Sequence, residues 1–466
     1  MDLIFKDDTI CAIATPVGEG GIGIIKISGP DALRISVELF RPSNSRCFSQ
    51  SHRLYHGWIT DPATDDRVDE VLVAYMRGPH TYTREDVVEI NCHSGFAALE
   101  RILELVLAAG ARLADPGEFT RRAFMNGRID LTQAEAVIDI IHARSQESLL
   151  LANRNLEGGL SELIRKWQQA LLSLHSGLEA QIDFSDDVED DPSDDPPALL
   201  HFLEDDLLGP MKLALDHFES ARLIREGLTL VLVGKPNVGK SSLLNVLLGK
   251  DRAIVTALPG TTRDVIEDAF ALSGVMVRIL DTAGIREEPD EIELMGIERT
   301  IRSVKEADVV LWLIDQSRPL SREDHMVFQA IGSGSYIILL NKADLPPAVT
   351  VEEVKVHFGP TSTVLHLSVF DPSHIQRLKD YLSSAFLRRP LEASRSAIVT
   401  NLRHKERLEL AVDSLARAKE LLMQGAFSEL VSLELRSARQ HLDAVVGGGG
   451  DDELLDRVFS RFCIGK

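Results

Sequence analysis

The segment GKPNVGKSS, from Gly234 to Ser242, has the composition of a phosphate-binding loop. It follows an apolar run and precedes the helical pattern SSLLNVLLG, which is the context that a P-loop requires. Gly234 and Gly239 allow the backbone to turn its N–H groups toward phosphate oxygens. We expect Lys240 to reach the β- and γ-phosphates and Ser241 to offer its hydroxyl to Mg²⁺. A chance glycine-rich turn is the alternative, and the flanking elements argue against it.

Two further motifs each follow a predicted strand. DTAG spans Asp281–Gly284 after VRIL, and NKAD spans Asn341–Asp344 after YIILL. An aspartate at the carboxyl end of a parallel strand lies beside the P-loop and can hold the Mg²⁺ shell through water. The carboxylate of Asp344 can accept two hydrogen bonds from guanine that adenine does not offer. In this order, the three motifs predict a site that prefers GTP to ATP.

The residue after DTAG is Ile285, where many GTPases carry the glutamine that orients the attacking water. Isoleucine cannot donate or accept a hydrogen bond, so hydrolysis is either very slow or assisted by another group. The next segment, REEPDEIELMGIER, offers several carboxylates, although any one of them could lie on a solvated helix face. In GTTRD, between the P-loop and DTAG, Thr262 is the candidate switch residue whose hydroxyl completes the Mg²⁺ shell.

These motifs need an α/β unit to position them. The runs TLVLVG, VRILDT, VVLWLID and YIILLNK are nearly continuous apolar strands, as a parallel sheet buried on both faces requires. Short β-like runs and a helical pattern at 96–109 predict an α+β region before them. Segments 132–156, 159–183, 402–423 and 427–445 have helical periodicity, which predicts an all-α domain interrupted by the α/β unit.

Charge and cysteine content narrow the function classes. With 50 basic and 72 acidic residues the formal net charge is −22, which argues against broad nucleic-acid binding without a local basic patch or a partner. None of the four cysteines forms a C-x-x-C pair, so neither a zinc site nor a disulfide framework is indicated. The acidic stretch 183–197 could bind cations or serve as a solvated connector. No membrane span or signal peptide is apparent, so we expect a cytoplasmic protein.

Several longer segments carry a family resemblance. GKPNVGKSS, AIVTALPGTTRD, DTAGIREEPDEIE and NKAD resemble GTPases that have a hydrophobic residue in place of the glutamine. TICAIATPVGEGGIGIIKISG, TYTREDVVEINCHSG, PGEFTRRAFMNGRIDLTQAEAV and RVFSRFCIGK extend the resemblance, over nearly the whole chain, to the tRNA-modification GTPase MnmE (TrmE) family. It implies a GTP hydrolase that works with a MnmG- or GidA-type FAD protein on the wobble uridine of certain tRNAs. The implied product is a 5-aminomethyl or carboxymethylaminomethyl group, built from a tetrahydrofolate one-carbon unit.

The resemblance also implies a multidomain architecture. An α+β, folate-binding-like N-terminal domain (1–120) would form a homodimer. An all-α helical domain (121–222 and 386–466) would hold an inserted α/β P-loop GTPase domain (223–385). Contact with tRNA would be made mainly through the FAD protein.

A folate site is part of the same expectation. The resemblance assigns 5-formyltetrahydrofolate, or methylenetetrahydrofolate, to Lys26, Glu89 and Arg128, with Lys466 nearby. Basic groups can meet the glutamate carboxylates of a folate, and Glu89 can accept from pterin donors. Cys463, in the tail CIGK, would be either a catalytic thiol or a packed cysteine.

In the family, the GTPase domains pair in a potassium-dependent way, and K⁺ takes the place of an arginine finger. The resemblance assigns K⁺ to Asn237, Thr256, Leu258 and Thr261, Mg²⁺ to Ser241 and Thr262, and the attacking water to Glu293. The full set of implied GTP-binding residues is Asn237, Val238, Gly239, Lys240, Ser241, Ser242, Thr256, Ala257, Leu258, Pro259, Gly260, Thr261, Thr262, Asp281, Thr282, Ala283, Gly284, Asn341, Lys342, Ala343, Asp344 and Ser368.

Three positions depart from the family pattern. Ser368-Val369-Phe370 stands where Ser-Ala-Lys or Ser-Ala-Arg contacts the base, so guanine affinity could be altered. Gly447–Gly450 replaces an acidic connector before the last helix. Lys26 stands where arginine is also found, which keeps the charge without a bidentate contact.

Two other functions fit part of the pattern. A ribosome-assembly GTPase would share the P-loop and switch motifs, but such proteins usually add a basic RNA-binding module. A non-catalytic, nucleotide-dependent scaffold would explain Ile285, whereas Thr262, Asp281 and Glu293 argue for catalysis.

Overall fold

The computed structural model describes residues 8–18, 20–44, 48–183, 196–249, 268–280, 303–332, 335–360, 362–393, 399–448 and 452–466. The predicted site residues 256–262, 281–284 and 293 lie outside these ranges. Among the described helices, none combines the length and the apolar character needed to cross a membrane.

The N-terminal region is built on a seven-stranded sheet with the order β3-β4-β5-β6-β2-β1-β7. Its strands are β1 (Ile10–Ile13), β2 (Gly23–Ser28), β3 (Phe40–Pro42), β4 (Arg53–Thr60), β5 (Arg67–Met76), β6 (Val87–Cys92) and β7 (Arg112–Leu113). All neighbouring strands are antiparallel except β1 and β7. Two helices, α1 (Ala32–Leu39) and α2 (Phe96–Ala108), complete this α+β unit. Alternation along β2 turns Ile25 and Ile27 into the core with these helices and Lys26 to the opposite face.

A helical region follows, in two parts of the chain. The first part contains α3 (Glu118–Met125), α4 (Leu131–His142), α5 (Gln146–Leu156), α6 (Gly159–Asp183), α7 (Pro196–Phe202), a π-helical turn (Leu203–Leu208), α8 (Gly209–Asp216) and α9 (Phe218–Glu226). The periodicity at 132–156 belongs to two helices rather than one. The first helix ends at His142, and Ser145, in extended conformation, caps α5 by accepting a hydrogen bond from the Ser148 N–H at 3.2 Å.

The inserted α/β unit has a six-stranded sheet with the order β13-β12-β11-β8-β10-β9. Its elements are β8 (Leu228–Val233), α10 (Lys240–Leu248), β9 (Ala269–Leu272), β10 (Val275–Leu280), β11 (Val309–Asp315), α11 (Arg322–Ile331), β12 (Tyr336–Asn341), α12 (Val351–Phe358), β13 (Thr363–His366) and α13 (Pro372–Leu382). Every residue of β8 and β11 is buried, which confirms the prediction of a sheet covered on both faces. The sheet is parallel except at its edge, where β9 runs antiparallel to β10.

The chain leaves the α/β unit through a continuous helical run. After α13 come a π-helical turn (Ser383–Leu387) and α14 (Arg388–Ala393), which packs on α9. The limit predicted at residue 385 lies inside this run, and the four domain limits stay predictions.

The second helical part comprises α15 (Leu402–Met423), α16 (Ser428–Val446) and α17 (Asp452–Phe459). α16 packs on both α15 and α6, and one apolar core joins the two parts of the helical region. Trp167, Met211, Leu415 and Leu435 are buried members of that core.

Candidate functional site

The P-loop joins the end of β8 to the start of α10. Gly239, the residue before α10, has a left-handed φ of 101°, and Gly234 has a φ of 148°. A Cβ atom added to Gly234 would lie 2.6 Å from the Leu313 carbonyl oxygen, so a larger residue would displace the neighbouring strand. The predicted loop therefore has the close backbone approach that its glycines allow.

Lys240 is held inside this loop. Its Nζ donates to the carbonyl oxygens of Gly234 at 2.7 Å and Lys235 at 2.9 Å. Burial lowers the pKa of Lys240 below the value of an ordinary lysine. Asn237, Val238, Ser241 and Ser242 lie in the same loop and the first turn of α10, which gathers the described P-loop candidates at one edge of the sheet.

Asn341 connects the P-loop to the NKAD motif. Its Nδ2 donates to the Val238 carbonyl oxygen at 2.7 Å, although the two residues are far apart in sequence. Its Oδ1 is buried and has no hydrogen-bond partner among the described residues. A buried acceptor without a partner favours a ligand that can donate a hydrogen bond there.

The other described NKAD residues also lie at the carboxyl ends of the strands. The Ser368 hydroxyl donates to Asp344 Oδ1 at 2.6 Å, and the Ala343 N–H donates to the Leu367 carbonyl at 3.0 Å. This fixes the carboxylate predicted to accept from guanine. Phe370, in the altered Ser-Val-Phe segment, is highly exposed.

Lys342 has a partner that we did not predict. Its Nζ donates to Asp315 Oδ2 at 2.6 Å, and its backbone has a left-handed φ of 64°. Although burial alone would raise the pKa of Asp315, hydrogen bonds from Lys342 and Ser317 hold it below its usual value. An aspartate that ends the apolar run VVLWLID was the sequence signal for this residue.

Two of the predicted metal ligands, Asn237 and Ser241, lie among the described residues. Ser241 follows Lys240 in the first turn of α10, and Asn237 lies in the loop with a φ of 62°. The other K⁺ and Mg²⁺ candidates lie outside the described residues, as does Glu293. The two described side chains offer oxygen atoms, which suit both cations.

The candidate folate residues meet on the face of the first sheet opposite α1 and α2. Lys26 and Glu89 are cross-strand neighbours in β2 and β6, and their Nζ and Oε1 atoms are 3.9 Å apart. Burial lowers the pKa of Lys26, Glu89 opposes this effect, and the charge of Lys466 adds to it. The Phe119 N–H donates to the Lys466 main-chain oxygen at 3.2 Å, which brings the tail to this site.

Two aromatic rings, missed in the sequence, complete this cluster. Lys26 Nζ lies 5.4 Å from the ring centroid of Phe119 and 5.8 Å from that of Tyr82, and Arg128 Cζ lies 4.7 Å from the latter. TYTRED and PGEFT contain these aromatics, but nothing local in either segment indicates that they meet. The cluster thus combines three cations, one carboxylate and two rings.

The C-terminal tail is anchored on α4 of the helical region and reaches strand β1 near Ile13. Leu455 and Phe459 of α17 pack with Leu131 and Ala134 of α4. Gly465 has a φ of 92°, and Cys463, two residues before it, is partly buried. Cys463 therefore belongs to the segment that delivers Lys466 to the cluster.

Comparisons with known proteins identify two regions of this chain. Residues 9–128 match the family model described as GTP-binding protein TrmE N-terminus, and residues 131–463 match the one described as MnmE helical domain. The tRNA modification GTPase MnmE of Syntrophobacter fumaroxidans is 59% identical, over 98% of this chain and 98% of the relative. The protein of the same name from Carboxydothermus hydrogenoformans is 45% identical, over 99% of this chain and 100% of the relative. The chain therefore belongs to the MnmE family of tRNA modification GTPases.

Proposed function

We propose that this chain hydrolyses GTP in a potassium-stimulated cycle that drives modification of the wobble uridine in certain tRNAs. With a MnmG-type FAD protein it would form a 5-aminomethyl or carboxymethylaminomethyl group from a tetrahydrofolate one-carbon unit. The observation that carries the proposal is the hydrogen bond from Asn341 Nδ2 to the Val238 carbonyl, which joins the phosphate-binding loop to the guanine motif.

The described residues have distinct roles in nucleotide binding. The P-loop N–H groups and the Lys240 ammonium would bind the β- and γ-phosphates, because the loop lies at the carboxyl end of β8 and the amino end of α10. Asp344, fixed by Ser368, would accept hydrogen bonds from guanine. Glu293 would orient or activate the attacking water, as the family resemblance implies.

Two cations would complete this site. Ser241 and Thr262 would hold Mg²⁺, and Asn237, Thr256, Leu258 and Thr261 would hold K⁺. When bound, the cations neutralise charge that develops on the phosphates. The main-chain and side-chain oxygens of these residues are suitable ligands for both ions.

The folate proposal is supported by the charge of the N-terminal cluster. Lys26, Arg128 and Lys466 bring three positive side chains to the cluster beside the carboxylate of Glu89, and burial makes it costly to keep Lys26 charged without an anion. The glutamate carboxylates of 5-formyltetrahydrofolate or methylenetetrahydrofolate would supply further negative charge there.

The proposed partners follow the family resemblance. The chain would act in the cytoplasm as a homodimer, with the FAD protein providing most of the tRNA contact. The net charge of −22 supports this division, because an acidic chain repels RNA phosphates.

The test is steady-state GTP hydrolysis in KCl and in NaCl at equal ionic strength. We expect strong stimulation by K⁺ that is lost in Asn237→Ala, whereas Glu293→Ala should nearly abolish hydrolysis with GTP affinity kept within a few-fold. Asn245→Ala, an exposed asparagine on α10, is the matched control and should behave as wild type. Equal rates in both salts would refute the role of potassium, and no hydrolysis in either salt would favour a scaffold.

A further inference from the structure

The ring of Tyr82 lies against two cations of the N-terminal cluster. Arg128 Cζ is 4.7 Å from its centroid and Lys26 Nζ is 5.8 Å from it, and both distances are within the range of cation–π attraction. Lys26 and Arg128 come from β2 and from the segment between α3 and α4. Tyr82 therefore connects two charged residues that nothing in the local sequence brings together.

Tyr82 is itself fixed at several points. Its hydroxyl shares a hydrogen bond with Thr120 Oγ1 at 3.0 Å, and Thr120 is fully buried. The ring packs against the small apolar cluster that contains Ala12 and Phe119. Burial raises the pKa of the Tyr82 hydroxyl, so this group is neutral at physiological pH.

Arg128 is held by Tyr82 in two ways. Besides lying over the ring, its Nη1 donates to the Tyr82 carbonyl oxygen at 3.4 Å. Among the described residues, the guanidinium contacts Tyr82 and forms no salt bridge with a carboxylate. The guanidinium is thus oriented while its charge is left for an anionic ligand.

We propose that Tyr82 is a positioning residue of the folate site, and that its ring keeps Lys26 and Arg128 in place for the carboxylates of a tetrahydrofolate. The proposal rests on the proposed folate chemistry and goes beyond it by assigning a role to an uncharged residue. The aromatic face lowers the energy of two like charges that would otherwise repel each other or turn to solvent. Arranging them in advance reduces the entropy lost when the ligand binds.

The experiment is isothermal titration of the full chain with 5-formyltetrahydrofolate. Tyr82→Leu removes the ring, whereas Tyr82→Phe keeps it and removes only the hydroxyl. We expect Tyr82→Leu to raise Kd by about tenfold or more and Tyr82→Phe to stay within about threefold of wild type, since each cation–π contact is worth up to about one factor of ten. Lys26→Ala is the positive control for loss of binding.

Tyr55→Leu is the matched control for stability. Tyr55 lies in β4 of the same sheet and bonds to the Gln50 backbone, away from the cluster. The Tyr55→Leu substitution should destabilise the domain and leave the Kd for 5-formyltetrahydrofolate unchanged. If Tyr55→Leu and Tyr82→Leu weakened binding equally, the proposal would be overturned. Weakening by Tyr82→Phe as strong as by Tyr82→Leu would also overturn it, because the hydroxyl would then be the group that matters.

The remaining outcomes separate the two proposals. If wild type binds, Lys26→Ala loses binding and Tyr82→Leu binds like wild type, the folate site stands and the role of Tyr82 is refuted. If wild type does not bind 5-formyltetrahydrofolate, the folate proposal fails and the role of Tyr82 fails with it.

Discussion

The carboxylate of Asp139 in α4 accepts a hydrogen bond from Arg225 Nε in α9 at 2.8 Å. Arg225 also donates to the Thr400 carbonyl at 3.1 Å, just before α15 begins. β8, which leads into the P-loop, starts at Leu228. One guanidinium thus joins both parts of the helical region to the entrance of the α/β unit.

Removing one partner of this pair should destabilise the protein. Burial raises the pKa of Asp139 and Arg225 opposes that rise, so Arg225→Ala leaves a partly buried carboxyl group without its guanidinium partner. We expect a cost on the order of 3 kcal/mol, measured as a lower midpoint in differential scanning calorimetry. The double variant Asp139→Leu/Arg225→Leu should recover most of the loss, and an equally low midpoint would contradict this explanation.

Glu135 should give the helical region a marked acid sensitivity. Burial alone would raise its pKa, but His404 at 2.5 Å and Arg403 at 2.8 Å hold it at about 2, against an ordinary value of 4.5. The ionised carboxylate therefore stabilises the fold above about pH 4.5, and this contribution is lost as the pH falls toward 2. Glu135→Gln should show a smaller decrease in melting temperature between about pH 5 and pH 3. Glu179→Gln, at a half-exposed site, should follow wild type.

Asp315 should contribute to nucleotide affinity through Lys342. Without the 2.6 Å contact, the left-handed conformation of Lys342 next to Asp344 loses its support. We expect Asp315→Ala to weaken GDP binding by roughly tenfold, measured with a fluorescent GDP analogue. Asp308→Ala is the matched control, because Asp308 pairs with Arg222 at the other end of β11 and should not affect binding.

Gly465 should be required for docking of the C-terminal tail. A Cβ atom there would lie 2.7 Å from the Ile13 carbonyl oxygen, in addition to the strain of a φ of 92°. Gly465→Ala should therefore release the tail and increase the labelling rate of Cys463 several-fold, as followed by mass spectrometry. Gly425→Ala is the control, because Gly425 has a similarly strained φ of 65° but no atom lies within 4 Å of the added Cβ. If Cys463 were also labelled faster in Gly425→Ala, the effect would not be specific to the tail.

The strand–loop–helix context of the P-loop was predictable from the sequence, because β8, the loop and α10 are adjacent in the chain. Long-range contacts were not predictable in the same way. Tyr82 contacts Arg128 and Thr120 because the β5–β6 loop packs on α3. The pattern of apolar residues along the chain does not predict that packing. The end of α4 was missed for two reasons: no glycine or proline marks it, and the apolar spacing continues past Ser145.

The chain enters the α/β unit through α9 and leaves it through α14, and these helices pack side by side. The two chain connections between the α/β unit and the helical region therefore lie next to each other on one side of the unit. Rotation of the unit about these two helices would displace the carboxyl ends of the strands and the P-loop the most. Arg225, which lies in α9, would hardly move. A small angular change at this axis would thus be amplified into a large displacement at the far side, without separating the two points of attachment.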